Sequence, residues 1–303
     1  MTRNLKLSLA LAVLAFTVPA SSIAASFTDV YFLGDSLSDT GNNGPVDVGP
    51  VLPGTYGYDP DRWTNAGGTL WSEGFSAGLG FGGAAVASSD GGHNYAAGGQ
   101  RADQLSLQIS ALSADEGGTL SSTALYAIWS GGNDLLQGES AASTVTDVIN
   151  SILSLSVLGA ENFLVLNMVD YSQLAPGTGP LAGTLPIPAG ADIWATDFNN
   201  GLSSSIASLS GVTVYEFDVA SLINGIFADP TGNGYAAGLA PCSLDANCVN
   251  GIDTDNFVMM DHVHLMSGPS SLVATGALAV IPEPSTALLL GLGLAAIGLR
   301  RKR

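Results

Sequence analysis

Four short apolar runs constrain this chain more than any other feature. They are residues 29–34, "TALYAIWS" (123–130), "NFLVLNMV" (162–169) and "VTVYEFDV" (212–219). Each is rich in β-branched or aromatic residues with little polar alternation, the pattern of strands covered on both faces of a parallel sheet. Helical patterns fill the gaps. "QLSLQISAL" (104–112) repeats apolar residues at helical spacing, and "STVTDVINSILSLSVLGA" (143–160) opens with a Ser cap. "DIWATDFNNGLSSSIASL" (192–209) is a third, and a last helix is expected from about Pro269 into the 270s, proline being at home in a first helical turn. Strand–helix alternation of this kind predicts a doubly wound α/β fold, a three-layer α/β/α sandwich around a mostly parallel sheet. Residues 41–61 and 228–256 are Gly-, Pro- and Asp-rich, long enough to be binding loops. No internal repeat is found.

The two ends read as addresses. Residues 1–25 carry Arg3 and Lys6, then "LSLALAVLAFTV", then small residues, the pattern of a secretory signal peptide cut after Ala24 or Ala25. The other end, 281–303, has Pro282-Glu283-Pro284, an apolar run from Thr286 to Leu299, and four basic residues at 300–303. That run is short for an unassisted membrane span, which takes roughly 17–25 residues. The order of these parts resembles the PEP-CTERM sorting signal of exported bacterial proteins. The resemblance implies processing by an exosortase-type membrane enzyme, with transient inner-membrane tethering and a final place at the cell surface or outside. A plain C-terminal anchor is the alternative.

Residues 26–280 suffice for one α/β domain with a full core. Of the eight basic residues in the chain, this stretch keeps only Arg62 and Arg101, against all but one of the 26 acids. Nucleic acid and anionic membrane surfaces are therefore poor partners. Solubility in a salty or cation-rich medium explains such a surface. Cys242 and Cys248 are the only cysteines, and in an exported chain they are expected to pair. No metal-ligand spacing accompanies them, and the Asp- and Asn-rich stretch 245–256 does not fit an EF-hand loop.

The first apolar run ends abruptly in "GDSLSDTGNN" (34–43), a turn-rich polar mouth. At the carboxyl end of a parallel sheet, where α/β folds bind ligands, a small hydroxyl residue there is a candidate nucleophile. No G-x-S-x-G elbow occurs, which argues against the α/β-hydrolase plan. Histidine is scarce, at positions 93, 262 and 264. In "MMDHVHLMSG", Asp261 lies three residues before His264, close enough to bond one imidazole nitrogen and leave the other as a base. His262 is the rival base.

Together the pieces resemble the GDSL or SGNH hydrolases, in several blocks in the right order. "FLGDSLSDTGN" supplies Ser36, "NYAAGGQR" (94–101) supplies Gly99, "SGGNDLL" (130–136) supplies Asn133, and "DHVH" supplies Asp261 and His264. "RWTNAGGTLWSEGFSAGLG" (62–80) resembles the segment following the first block in longer members. The resemblance implies a flavodoxin-like sheet, Ser36 as nucleophile, His264 as base and Asp261 as its orienting acid. It also implies an oxyanion hole from the Ser36 and Gly99 N–H groups and the Asn133 amide, with no metal and no organic cofactor. Asp35, Asp39 and Asp134 are read as structural, tying loop backbone. One departure is that Leu265-Met266-Ser267-Gly268 follows the histidine where the family usually has Pro and Thr.

The expected function is an exported serine esterase or lipase acting on short acyl esters or lipids. Alternatives are an acetylesterase or acyltransferase on surface polysaccharide, and a non-catalytic polysaccharide-binding surface or matrix protein. Tyr56, Tyr58, Trp63, Trp71, Phe227 and Tyr235 are candidates for selecting substrate, with loop packing as their other reading. His93 is a candidate lining residue or an ordinary surface-loop histidine.

Overall fold

The computed structural model describes residues 27–49, 51–174, 180–181 and 186–282. The segment expected to be a signal peptide and nearly all of the expected sorting tail lie outside the described residues. The four apolar runs form strands β1 (Val30–Gly34), β2 (Leu125–Trp129), β3 (Asn162–Leu166) and β4 (Thr213–Phe217). All neighbours pair in parallel, in the order β1-β2-β3-β4. β1 and β2 are buried throughout and β3 nearly so, whereas β4 is half-exposed, as an edge strand should be.

Helices cover the sheet in two packed groups. Leu105–Asp115, Ala141–Val157 and Ala191–Ile206 pack in sequence on one another, while Trp71–Gly78 and Val219–Ala228 both pack on Ser267–Val280. This is the three-layer α/β/α arrangement. The second helix starts earlier than its apolar pattern suggests, because Ser140, not Ser143, is the cap: the Ser140 hydroxyl accepts the Ser143 N–H at 3.1 Å. The helix Val219–Ala228 was hidden in the sequence behind the apolar run of β4. Its start is fixed by Asp218, whose carboxylate accepts the Ser221 N–H.

The free edge of β1 is covered too. The Phe32 N–H donates to His93 O, Tyr95 N–H to Phe32 O and Ala97 N–H to Gly34 O, so residues 93–97 run parallel to β1 as an irregular fifth strand. The chain thus passes from β1 to one side and then crosses to β2 on the other. That reversal makes the carboxyl end of β1 the switch point of the sheet, where such folds open a crevice.

Candidate active site

β1 leaves the sheet through Gly34 into Asp35 and Ser36. Gly34 has φ +150°, and a Cβ there would lie 2.1 Å from the Trp129 carbonyl oxygen, so only glycine lets β1 and β2 close up at this point. Asp39 then shapes the mouth. Its Oδ1 accepts the N–H groups of Gly41 and Asn42, and its Oδ2 accepts those of Asn43 (2.9 Å) and Gly98 (2.7 Å). The turn is thereby tied to "NYAAGGQR". A side chain at Gly98 would meet the Asn43 carbonyl at 2.4 Å and the Trp63 indole nitrogen at 2.5 Å. Asp134 makes the next tie, accepting the Ala102 N–H at 2.9 Å. The reading of Asp39 as a turn former and of Asp134 as a tie to loop backbone thus has a specific geometry.

His264 Nε2 lies 2.8 Å from Ser36 Oγ, and its Nδ1 lies 2.6 Å from Asp261 Oδ2. With the proton on Nδ1 facing the carboxylate, Nε2 is the acceptor for the serine hydroxyl. Asp261 is fully buried and heavily bonded. Its Oδ1 accepts the N–H groups of Val263 and His264, both at 2.7 Å, and its Oδ2 also accepts the Tyr58 hydroxyl. Burial alone would raise its carboxyl, but the His264 charge and hydrogen bond, with His262 and the Tyr58 hydroxyl, hold it well below the usual carboxylate range. Trp63 stacks on the His264 ring at 4.8 Å between centroids, and its indole N–H donates to the Asn43 carbonyl. The His264 ring is therefore fixed on one face by an indole and on one edge by a carboxylate.

These groups open into a cavity of about 160 Å³ lined by Ser36, Gly99, Asn133 and His264. Its other walls include Leu37, Val48, Trp63, Leu136, Tyr171 and Val263, so they are largely apolar. Among the described residues, the Ser36 and Gly99 N–H groups donate to no protein acceptor. One hydrogen of the Asn133 amide goes to the Gln100 carbonyl at 3.0 Å, and the other is left for the cavity.

Other candidates fall elsewhere. His262 is buried but does not line the cavity, and the contact to Ser36 is made by His264. His93 is not a lining residue. Its Nδ1 lies 3.0 Å from Asp29 Oδ1 and its ring stacks on Tyr31, so the residues before and within β1 hold it away from the carboxyl edge. Trp71 and Phe227 are core residues, and the Trp71 indole N–H donates to Ser38 Oγ. Cys242 and Cys248 are joined in a disulfide, packed with Tyr58, Trp63, Phe257, Met260 and Met266 in a small apolar cluster apart from the main core. Tyr58 as a partner of Asp261, and Tyr171 as a wall, have no sequence signal beyond being aromatic. Among the described residues, no group of His, Cys, Asp and Glu is placed to hold a metal ion, and no helix is long and apolar enough to cross a membrane.

A family model described as GDSL-like lipase/acylhydrolase matches residues 30–268, and one described as the PEP-CTERM protein-sorting motif matches residues 280–303. Among solved structures, a member of the lipolytic protein G-D-S-L family from Veillonella parvula DSM 2008 is similar over 83% of this chain and 97% of that chain, at 18% identity and a TM-score of 0.49. A lipase from a goat rumen metagenome is similar over 84% of this chain and 97% of that chain, at 13% identity and a TM-score of 0.49. The psychrotrophic esterase EstA from a Pseudoalteromonas species covers 84% and 96%, at 12% identity and a TM-score of 0.40. None of the curated proteins matches the chain.

Proposed function

Since the chain belongs to the GDSL-like lipase/acylhydrolase family and carries a PEP-CTERM sorting motif, we propose that it is an exported serine esterase working through an acyl-enzyme on Ser36. The observation that carries this reading is the unbroken line Ser36–His264–Asp261, at 2.8 and 2.6 Å. Ser36 Oγ attacks the ester carbonyl while His264 Nε2 takes its proton, then returns it to the departing alcohol. Asp261 keeps the imidazole in the right tautomer and stabilises its charged form. Water, activated by the same nitrogen, then releases the acid. The Ser36 and Gly99 N–H groups and the spare Asn133 hydrogen receive the negative charge on the acyl oxygen. Each such donor is typically worth about 100- to 1,000-fold in rate.

The cavity favours a short, apolar acyl group. Its volume of about 160 Å³ is below the roughly 300–1,000 Å³ usual for larger ligands, and its walls are mostly hydrocarbon. An acetyl or butyryl ester fits that description better than a long-chain lipid. The same small cavity also suits an acetyl group on a surface polysaccharide, which keeps deacetylation as the second reading. A purely binding role has less support, since a polymer-binding surface has no use for a buried, bonded Ser–His–Asp line. The sorting motif supports export, processing by an exosortase-type enzyme, and transient tethering to the inner membrane.

The test compares the protein with Ser36→Ala on p-nitrophenyl acetate, butyrate and palmitate and on an acetylated polysaccharide. The expected outcome is hydrolysis of the short esters, little of the palmitate, and a loss of about 10,000-fold or more in the variant. Equal inertness of both folded proteins on every substrate would sink the esterase reading.

A further inference from the structure

Among the described residues, Tyr171 is the one buried tyrosine whose hydroxyl has no protein partner. Tyr31, Tyr58, Tyr95, Tyr126 and Tyr171 are all more than nine-tenths buried. The first four donate to protein acceptors: Tyr31 to Glu116 at 2.8 Å, Tyr95 to Asp115 at 2.9 Å, Tyr126 to the Ser121 carbonyl at 3.0 Å, and Tyr58 to Asp261. The Tyr171 hydroxyl has no such acceptor, although the residue is only 3% exposed. Nor is that hydroxyl sealed in by protein, as Asp35 Oδ2 is. Tyr171 lines the cavity together with Ser36, Asn133 and His264, so the little surface it keeps opens there. Its backbone is firmly held. Asp170 Oδ1 accepts the Ser172 N–H at 2.9 Å, the Asp170 N–H donates to Asn224 Oδ1, and the Asn199 amide pairs with both the N–H and the carbonyl of Met168. Buried tyrosine hydroxyls normally find a partner, so one placed this way calls for a partner that arrives with the substrate.

We propose that Tyr171 selects the acyl group: its hydroxyl hydrogen-bonds an oxygen carried on the acyl chain, so the preferred substrates are esters of short hydroxy acids rather than of plain alkanoic acids. The proposal rests on the serine-esterase reading. A cavity of about 160 Å³ holds little more than a short acyl chain beside Ser36, so what its walls touch is the acyl part, while a bulky alcohol such as a sugar ring is left outside. Leu37, Leu136 and Val263 suit the hydrocarbon of such a chain. The phenol keeps its proton for donation, because burial and the nearby Asp35 and Asp261 all push its ionisation far above the ordinary tyrosine range. A plain butyryl chain would leave the hydroxyl unpaired in a dry pocket. A site built to hydrogen-bond its ligand discriminates against the analogue that lacks the group.

The experiment measures kcat/KM of the full chain, of Tyr171→Phe and of Ser36→Ala on the p-nitrophenyl esters of butyrate, isovalerate and β-hydroxybutyrate. The last two acyl groups differ only in a methyl where the other has a hydroxyl, so size is matched. The parent is expected to prefer β-hydroxybutyrate over isovalerate by about tenfold, the worth of one good hydrogen bond. In Tyr171→Phe the order is expected to reverse. The hydroxyacyl ester falls about tenfold, and the two hydrocarbon esters rise about threefold because no unpaired hydroxyl remains in the wall. Simple damage to the wall would lower all three together, so a uniform loss overturns the proposal. Binding to Ser36→Ala supplies a readout without turnover: ethyl β-hydroxybutyrate is expected to bind about tenfold tighter than ethyl isovalerate, with the gap closed when Tyr171→Phe is added. Equal binding of the two also overturns the proposal. An active parent that treats hydroxyl and methyl alike refutes the Tyr171 role alone, whereas a parent as inert as Ser36→Ala on all three esters refutes the esterase reading and this role with it.

Discussion

Ser36 and His264 are held by two differently built regions. Ser36 stands at the end of β1, whose residues are buried in the main core between two helical layers. Backbone hydrogen bonds to β2 and to residues 93–97 flank it on both sides. His264 and Asp261 lie on an irregular stretch whose apolar side chains divide between the main core (Val258, Met259, Val263, Leu265) and the small cluster around the disulfide (Phe257, Met260, Met266), with Tyr58 and Trp63 reaching in from the loop that follows the mouth. The first region cannot move without disturbing the fold. The second can lose its alignment while the sheet stays intact. Damage on the Ser36 side should therefore register as stability, and damage on the His264 side as turnover.

The strongest test of that contrast is Gly34→Ala. Its Cβ would meet a strand carbonyl at 2.1 Å, and the backbone there is at φ +150°, so a loss of about 3 kcal/mol or more in unfolding free energy is expected by denaturant titration. A variant with near-parental stability would show that β1 is less rigid than its pairing suggests. Tyr58→Phe should do the reverse. It removes one donor from the Asp261 carboxylate and shifts that carboxyl upward, and hydrogen bonds to charged groups are worth about 1.5–3 kcal/mol. If half of that is felt in the transition state, kcat falls about 4- to 12-fold, while the melting temperature drops by several degrees and the fold stays intact. A large fall in melting temperature with unchanged kcat would erase the distinction between the regions.

Replacing both Cys242 and Cys248 by Ser tests the supporting cluster. The bridge closes a loop of only six residues' separation, so its removal is expected to cost about 2 kcal/mol, concentrated in the segment around residues 242–266. Hydrogen exchange should quicken there and not in β1–β3, with a modest loss of kcat. The smallest effect is one of pH. Asp35 has its folded value raised to about 7, so the native state binds the proton more tightly and stability declines as pH rises from the ordinary carboxylate range through that value. Asp35→Asn should melt a few degrees above the parent at alkaline pH, and the gap should close as pH falls.

Much of the fold was legible because the four strands are continuous apolar runs, which parallel burial requires. Their positions followed from pattern to within a few residues. The helix Val219–Ala228 was not legible, since its apolar face continues the run of β4 and only Asp218 marks the boundary. Residues 93–97 were not legible as a strand because their sheet contacts come from backbone groups in a Gly- and Ala-rich segment, which leaves no side-chain period. At the site, Ser36, Asp261 and His264 could be picked out from motif spacing. The choice of His264 over His262 could not be made by spacing alone, and the geometry of the loop made it by presenting His264 to Ser36.

The sequence by itself determined the strand–helix alternation, the burial of the sheet, the acidic surface and the order of the motif blocks, because these depend on residue type and local period. Tertiary structure alone decided which groups meet. Tyr58 and Asp261 are 203 residues apart, as Ser36 and His264 are 228 apart, and no local rule brings such pairs together. It also decided that Asp39 is fully bonded while Asp35, four residues earlier, keeps an enclosed oxygen with no hydrogen-bond partner among the described residues. Hydrogen-bond satisfaction is a property of the assembled surroundings, so two aspartates of one turn, alike in sequence, end one fully bonded and the other half bonded.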